Sequence, residues 1–362
     1  MIKIIEINKI IFISLFLYLT IDFVFGDKFL KKFGLIYLEE TIRVPNKDYS
    51  YSFEKNLNSD YAVWGNQYYK LCTDSRGFKY NCIDKENKFY ELAFIGDSFT
   101  EGIGLPFEKT FVGIFKENTK KNIVNLGVAS YSPYIYLKKV KHLISNNIIR
   151  FEHLIVAIDL TDLEDDWQRS NKVDEETQES KIFYTNATLK DKFDSFKYHL
   201  KVKLMRNFPV SYIILKRINW FIRLNYSDEF NVDHLNYKSN KAAWSYDDLH
   251  DNLNLKINNH IKIMEEISLF LKENNIKLSV MIYPHQASIK YDEKDSLYKK
   301  IWVDFCNKNK CEKLIDSYTP FFDELKSYSK NEIIKKYYIP GDVHFNENGN
   351  KKIFEILKKN FI

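Results

Sequence analysis

Five short apolar runs, separated by segments of helical periodicity, constrain the fold of this chain more than any other feature. Each run is four to seven residues long with few internal charges, as in strands that are covered on both faces. The runs occupy residues 92–96, 123–127, 154–159, 278–284 and 313–316. Between them, apolar residues recur every three or four positions, as along one helix face, over 110–121, 134–147 and 255–275. This alternation predicts an α/β fold with a doubly wound, mostly parallel sheet and right-handed crossovers.

Two segments depart from this rhythm and suggest how the chain is organised. Residues 28–90 are rich in tyrosine, asparagine and charge, with turn points at Gly65 and Gly77, and we interpret them as an N-terminal addition with short strands. The addition would pack on an α/β domain of residues 91–362. Residues from about 165 to 250 interrupt that domain after the third run, so we predict an insertion there. It is partly helical and either shapes access to a site or forms a solvated loop and a packing helix.

The N-terminus is the most apolar part of the chain. Residues Ile10 to Ile21 carry no charge, Asp22 interrupts them, and the apolar segment continues to Gly26. Its seventeen residues are at the low end for a membrane-spanning helix. We interpret residues 1–27 as an uncleaved signal anchor, with a cleaved signal peptide and a buried N-terminal helix as alternatives. The body is then exported to the periplasm or another extracytoplasmic face, and residues 10–26 hold it to the membrane.

The four cysteines form two local pairs. Cys72 lies ten residues before Cys82, and Cys306 lies five residues before Cys311. Such pairs suit two small-loop disulfides in an oxidising compartment. Zinc is the rival interpretation, but neither pair has C-x-x-C spacing and no histidine adjoins either one. Four buried free thiols are the third possibility.

Charge and motifs argue against several classes of partner. The net charge is +5, from 54 basic and 49 acidic residues, and the lysines are scattered, so we expect no nucleic acid. The acidic residues from Asp162 to Asp166 are interpreted as a solvated loop rather than a metal site. The turn after the first run has no G-x-G-x-x-G and carries Asp97, which disfavours a bound phosphate. We therefore expect neither a cofactor nor a metal.

Polar residues follow the apolar runs, at the sheet edge where open parallel sheets bind ligands. They are Gly96, Asp97 and Ser98 after the first run, Gly127, Ala129 and Ser130 after the second, Asp159, Thr161 and Asp162 after the third, and Pro284, His285 and Gln286 after the fourth, with Asp342 and His344 near the C-terminus. A nucleophilic serine needs a base, usually histidine, which in turn needs an orienting acid. The acyl transition state also needs N–H donors for its oxyanion. These residues supply the right types for acyl transfer.

Four blocks of the sequence resemble those of the SGNH (GDSL) hydrolases. "FIGDSFTEGIG" (94–104) resembles the first block and "NLGVASYSP" (125–133) the second. "IDLTDLEDD" (158–166) stands where the third block, commonly Gly-x-Asn-Asp, is expected, and "GDVHFNENGN" (341–350) resembles the last. Order and spacing agree over residues 91–362 once the insertion is set aside. The resemblance implies a flavodoxin-like, three-layer α/β/α fold.

The resemblance also implies roles for individual residues. Ser98 would be the nucleophile, with its backbone N–H as first oxyanion donor, and Gly127 would be the second donor. His344 would be the general base and Asp342 the acid that orients it.

Two positions depart from the family pattern. Thr161 stands in place of the asparagine of the third block and is the third oxyanion donor that we predict, although a threonine hydroxyl has a shorter reach. The alternative is that His285 or Gln286, which could line the site, takes over that role. Asp342 stands two residues before the histidine instead of three, and Asp316 is the alternative acid. A D-x-H arrangement also occurs in exported SGNH-like proteins that modify polysaccharides, which the C-terminus resembles.

These features predict an SGNH-type serine esterase or O-acyltransferase that works through an acyl-enzyme on Ser98. The expected substrate is an acyl ester on cell-envelope carbohydrate, with lipid esters as the next choice. Aromatic stretches such as "WGNQYY" (64–69) suit either sugar stacking or core packing. The alternative is a catalytically inactive binding or assembly protein of the envelope that keeps the fold.

Overall fold

The structure is a computed structural model that describes residues 2–32, 35–36, 42–64, 67–178, 203–204, 207–226, 241–247 and 252–361. Much of the predicted insertion (165–250) and the predicted turn point Gly65 lie outside these residues. The strands are β1 (Leu35–Ile36), β2 (Arg43–Asn46), β3 (Ser50–Phe53), β4 (Asn58–Trp64), β5 (Gln67–Thr73), β6 (Lys79–Tyr80), β7 (Phe89–Ile95), β8 (Ile123–Asn125), β9 (Arg150–Ile158), β10 (Lys277–Ile282) and β11 (Lys313–Asp316).

The helices cover the sheet and extend to both ends of the chain. They are α1 (Ile2–Lys32), α2 (Ser98–Glu101), α3 (Phe111–Thr119), α4 (Pro133–Ser145), α5 (Asp162–Gln178), α6 (Pro209–Tyr226), α7 (Leu253–Glu273), α8 (Gln286–Tyr291), α9 (Leu297–Asn309), α10 (Thr319–Asp323), α11 (Lys330–Tyr337) and α12 (Glu347–Phe361). Helix α7 packs against α4, α5 and α9, whereas α12 packs against α3 and α11.

The central sheet confirms the predicted fold. Its five strands run parallel in the order β8-β7-β9-β10-β11, which is the doubly wound flavodoxin-like order with helices on both faces. All five strands overlap the apolar runs of the sequence. Residues 154–158 of β9 are completely buried, so both faces of this strand are covered and its sequence shows no polar alternation.

The segment before the central sheet forms short strands. Strands β1, β4, β5 and β6 make one sheet, and β2 and β3 make an antiparallel hairpin. Gly77 takes a φ of 81° in the turn before β6, a conformation that favours glycine. Ahead of these strands, α1 contains a stretch, Asn8–Leu30, that is long and apolar enough to cross a membrane.

The cysteines pair as the sequence predicts. Cys72 is bonded to Cys82 and Cys306 to Cys311, and none of the four remains a free thiol. The first disulfide joins the end of β5 to the chain after β6, and the second closes the turn between α9 and β11. Each one therefore staples a short local loop.

Candidate active site

Ser98 lies at the carboxyl end of β7, in a tight turn that leads into α2. At Gly96, a Cβ atom would stand 2.1 Å from the Thr100 hydroxyl and 2.9 Å from the Ala157 carbonyl oxygen, so only glycine fits there. Asp97 is the N-cap and accepts a hydrogen bond from the Phe99 N–H at 3.0 Å. Ser98 is the first helical residue, and its own N–H has no carbonyl partner within the helix.

Three predicted residues form one hydrogen-bonded chain. The Ser98 Oγ lies 2.8 Å from the His344 Nε2, and the His344 Nδ1 lies 2.5 Å from the Asp342 Oδ1. Ser98 and His344 are 9% and 8% exposed, so the contact is nearly sealed from solvent. In this arrangement His344 can accept the serine proton while Asp342 holds the imidazole in place.

The Asp342 side chain can reach the His344 ring only two residues away because their loop folds back on itself. Gly341 takes a φ of 68°, and the Asp342 Oδ1 also accepts the backbone N–H of His344 at 3.0 Å. The alternative acid, Asp316, is engaged elsewhere. It accepts the N–H groups of Tyr318 and Thr319 and so braces the turn that leads into α10.

Trp64 is a site residue that sequence reasoning missed. Its Nε1–H donates to the second carboxylate oxygen of Asp342 at 2.9 Å, and its ring packs edge-on against the His344 ring at 5.5 Å. Burial would raise the pKa of Asp342, but the His344 charge and the hydrogen bonds from His344 and Trp64 lower it overall. Trp64 ends β4, outside the α/β domain predicted from the sequence, and belongs to the "WGNQYY" stretch for which sugar stacking was one interpretation.

Asp97 also contacts Ser98. Its Oδ2 lies 3.1 Å from the Ser98 Oγ, and its Oδ1 accepts the Tyr283 hydroxyl at 3.0 Å. Burial and the neighbouring Asp159 raise the pKa of Asp97 to about 7. As a carboxylate, Asp97 competes with His344 for the serine proton, whereas as an acid it can donate to Ser98 and leave that proton directed at His344.

The predicted second oxyanion donor, Gly127, is not available in this structure. Its N–H donates to the side chain of Asn125 at 2.9 Å, and the same side chain donates to the Thr100 carbonyl at 2.8 Å. A Cβ at position 127 would stand 2.8 Å from the Thr100 side chain. Gly127 therefore lets its loop pack closely on α2, and its N–H is used within that packing.

The same loop offers another N–H at Ser130. The Val128 N–H donates to the Gly96 carbonyl and the Ala129 N–H to Glu101. No acceptor bonds the Ser130 N–H within the part of the chain that the structure describes. Ser130 takes a φ of 59°, and the Arg169 guanidinium holds its carbonyl at 2.5 Å.

Thr161 does not present its hydroxyl to the site either. The hydroxyl donates to the Asp159 Oδ1 at 2.5 Å, and the Thr161 N–H donates to the same oxygen at 2.7 Å. The prediction that Thr161 replaces the family's asparagine as an oxyanion donor is therefore corrected. The physical reason is local, because an acid two residues earlier captures both donors in a turn.

His285 lies near His344. The Phe99 ring contacts both imidazoles, with centroids 6.1 Å from His285 and 5.1 Å from His344. His285 caps α8, and its Nδ1 accepts the Ala287 N–H at 3.4 Å, which leaves the proton of the neutral ring on Nε2. Burial lowers the pKa of His285, so the ring is neutral. Gln286 begins α8 and is buried.

The acidic residues after β9 form the start of helix α5 rather than the solvated loop that we predicted. Asp162 is fully buried and accepts both the Asp159 N–H and the Tyr136 hydroxyl. Asp166 is also buried and bonds the His260 Nδ1 at 2.6 Å, which ties α5 to α7. Among the described residues, no group of three or more histidine, cysteine or acidic side chains could hold a metal ion.

Known proteins resemble this chain in structure but not in sequence. No family model and no curated protein matches it. Solved structures do, and two of them are a GDSL-like lipase from Bacteroides thetaiotaomicron (13% identity, 75% of this chain and 87% of that one, TM-score 0.35) and a catalytic mutant of the acetylxylan esterase Axe2 from Geobacillus stearothermophilus (9%, 75% and 93%, 0.39). A third is the psychrotrophic esterase EstA from a Pseudoalteromonas species (8%, 75% and 96%, 0.38).

The α/β domain has a flavodoxin-like fold. Its five-stranded parallel sheet carries serine after the first strand and the Asp342–His344 pair before the last helix, as the resemblance of the sequence blocks implies. The solved structures share 7–13% identity with this chain. We therefore base the function on the geometry of the site itself.

Proposed function

We propose that this protein is an SGNH-type serine esterase or O-acyltransferase that acts on ester-linked acyl groups. The observation that supports this most directly is the chain of contacts from Ser98 through His344 to Asp342, with 2.8 Å between serine and base and 2.5 Å between base and acid. Both distances suit proton transfer and orientation of the imidazole.

The reaction follows from these contacts in two balanced steps. The Ser98 Oγ attacks the ester carbonyl carbon while its proton passes to the His344 Nε2, and a tetrahedral oxyanion forms. Collapse of this intermediate breaks the bond to the leaving oxygen, which takes the proton from His344, and leaves the acyl group on Ser98. An acceptor hydroxyl then gives its proton to His344 and attacks the acyl-enzyme, and collapse of this second tetrahedral intermediate breaks the bond to the Ser98 Oγ, which takes the proton back from His344. Water as the acceptor gives hydrolysis, and a sugar hydroxyl gives transfer.

Two of the oxyanion donors predicted from the sequence, Gly127 and Thr161, are engaged with Asn125 and Asp159. We assign the Ser98 N–H as the first donor and the Ser130 N–H as the second, since the N–H of Gly127 is engaged with Asn125. The neutral His285, with its proton on Nε2, supplies the side-chain donor in place of Thr161. Preorganised donors of this kind are usually the largest single contribution to acyl transfer.

The substrate that we propose is an acyl ester on carbohydrate of the cell envelope. Two disulfides and an apolar N-terminal helix support export and attachment to the membrane through residues 10–26. The D-x-H arrangement at the C-terminus resembles that of exported SGNH-like proteins that modify polysaccharides. Lipid esters are the second choice of substrate.

A fluorophosphonate probe tests the mechanism. We expect the full-length protein to be labelled covalently and to hydrolyse p-nitrophenyl acetate, and both signals should vanish in Ser98→Ala. Ser279→Ala is the matched control, because Ser279 is buried and bonds His153 at 2.8 Å, but no acidic side chain among the described residues hydrogen-bonds that histidine. Labelling in Ser98→Ala, or its loss in Ser279→Ala, would show that another serine reacts.

The second candidate is a non-catalytic binding or assembly protein of the envelope. The commitment of the Gly127 and Thr161 donors to neighbouring side chains favours it, because fewer donors then remain for an oxyanion. If the folded, disulfide-bonded protein neither reacts with the probe nor hydrolyses the ester, this candidate replaces the esterase.

A further inference from the structure

Asp22 is an acid inside the apolar helix α1, and it is buried to 3% exposure. Its Oδ1 accepts the Val210 N–H at 3.0 Å, and its Oδ2 accepts the Ser211 N–H at 2.8 Å and the Ser211 hydroxyl at 2.6 Å. These three donors belong to the first turn of α6. Asp22 therefore caps a second helix, which explains how a carboxylate persists in an otherwise apolar segment.

The contact between α1 and α6 is built along one face of α1. Tyr18, Asp22 and Gly26 are spaced four residues apart, and the Tyr18 hydroxyl lies 3.1 Å from the Ser211 hydroxyl. At Gly26 a Cβ atom would stand 2.3 Å from the Asp22 carboxylate and 3.0 Å from the Pro209 ring, so glycine admits the start of α6. The N-terminal helix is thus joined to the folded body by specific contacts.

Helix α6 turns a continuous apolar stripe outward. Its members recur at helical spacing, and each is about half exposed: Ile214 (47%), Leu215 (62%), Ile218 (50%), Phe221 (62%) and Ile222 (48%). The stripe begins about one turn beyond the Asp22 contact. Helix α1, which α6 contacts, also exposes apolar side chains, among them Phe12 (71%) and Phe16 (63%).

Helix α6 is also positively charged. Its sequence contains three basic residues and no acidic one. A helix with a broad apolar face and basic residues elsewhere is typical of helices that lie in the surface of an anionic bilayer. The neighbouring α1 is itself long and apolar enough to cross a membrane. A lipid bilayer can therefore cover the apolar faces of both helices at once.

We propose that α6 lies in the surface of an anionic lipid bilayer beside α1, with Asp22 as the contact that locks the two helices together. Helix α1 is then a permanent anchor, because cleavage after Gly26 would remove the cap of α6. The active site lies close to this membrane face. The Lys216 amine on α6 stands 5.8 Å from the centre of the Trp64 ring, and Trp64 donates to Asp342.

Site-specific photocrosslinking in vesicles tests the lipid contact. The full-length protein is reconstituted into vesicles of phosphatidylcholine and phosphatidylglycerol, with p-benzoylphenylalanine at Leu215 in one variant and at Leu269 in the other. Leu269 is the matched control, because it is a leucine of 60% exposure, against 62% for Leu215, but lies on α7. We expect lipid adducts, detected by mass spectrometry, to be about tenfold more abundant at position 215.

The variant Asp22→Leu tests the lock. It keeps α1 apolar, so the protein stays in the membrane fraction, but it removes the acceptors for α6, and lipid adducts at position 215 should fall. Equal adducts at positions 215 and 269, crosslinks from 215 to protein alone, or an intact mass that lacks residues 1–26 would each overturn the proposal. None of these signals depends on Ser98 chemistry, so Ser98→Ala should give the same adducts whether or not the protein is an esterase.

Discussion

Replacement of Trp64 by phenylalanine tests whether the N-terminal addition takes part in catalysis. The substitution keeps an aromatic edge against the His344 ring but removes the N–H that donates to the Asp342 Oδ2 at 2.9 Å. Among the described residues, the Asp342 carboxylate then keeps only its bonds with His344. We expect the Asp342 carboxylate to be less firmly positioned. Its charged form should also be less stable, because it has lost a hydrogen-bond donor.

The size of the effect follows from the type of hydrogen bond. A hydrogen bond to a charged group is worth about 1.5–3 kcal/mol, and we take the lower value because Trp64 is only part-buried. A loss of about 1.5 kcal/mol from the transition state corresponds to a decrease of about tenfold in kcat/KM. The pKa of Asp342 should rise, because the donor that favoured its charge is gone. Activity should therefore disappear at a higher pH on the acid side of the profile.

The assay is the pH dependence of kcat/KM for p-nitrophenyl acetate, measured together with urea unfolding. Trp244→Phe is the matched control, since the Trp244 Nε1–H donates to the uncharged Leu160 carbonyl at 2.6 Å. It should lower the free energy of unfolding by about 1 kcal/mol and leave the pH profile in place. An unchanged profile in Trp64→Phe, or equal losses of activity in both variants, would refute the role of Trp64.

Three further predictions concern the turns around Ser98. His285→Phe should lower kcat by about a hundredfold with little change in KM, and His285→Gln, which keeps an N–H donor, should recover part of it; full activity in His285→Phe would rule out the donor role. Burial and Asp159 raise the pKa of Asp97 to about 7, so the folded state binds that proton more tightly than the unfolded chain. This contribution to stability is lost as pH rises from about 4 to about 7. The free energy of unfolding, measured with urea, should therefore fall less over this pH range in Asp97→Asn than in the unchanged protein. Arg43→Met leaves the buried Glu101 without its cation at 3.2 Å and should cost about 3 kcal/mol of unfolding free energy; a change below about 1 kcal/mol would contradict this.

Local patterns in the sequence account for much of the fold and for the main contacts of the candidate site. The five strands were predictable because each one is buried on both faces and carries its own apolar run. The contacts of Ser98, His344 and Asp342 were predictable because parallel strands bring their carboxyl ends to one edge. Trp64 was not predictable in this way. It reaches Asp342 across 278 residues of sequence, and no local pattern indicates such a contact.

The errors at Gly127 and Thr161 have a common physical cause. Asn125 accepts the N–H of Gly127, and Asp159 accepts both donors of Thr161, each across two residues. An asparagine or aspartate two residues before a donor is a frequent turn pattern that competes for that donor. Family blocks indicate which residue types stand in a turn, but they do not show which acceptor each N–H meets.

The N-terminal addition contacts several turns of the candidate site at once. Arg43 pairs with Glu101, and the buried Lys79 amine donates to the Gly102 and Leu105 carbonyls just beyond α2. The Tyr51 hydroxyl donates to the Ala129 carbonyl at 2.7 Å. Together with the contact of Trp64, these bonds hold the Ser98 turn, the loop after β8 and Asp342 in place, so the shape of the candidate site depends on the N-terminal addition.

Three turns at the sheet edge share one hydrogen-bonding pattern, and this pattern determines which N–H group near Ser98 remains unbonded. Asp97, Asp159 and Asp342 each accept the backbone N–H two residues further on, at 3.0, 2.7 and 3.0 Å. The carboxylate therefore stabilises its turn but does not bond the N–H of the residue that directly follows it. After Asp97, that residue is Ser98. In the proposed reaction its N–H is then available to the oxyanion while its hydroxyl contacts His344, because Asp97 stabilises the turn through the Phe99 N–H instead.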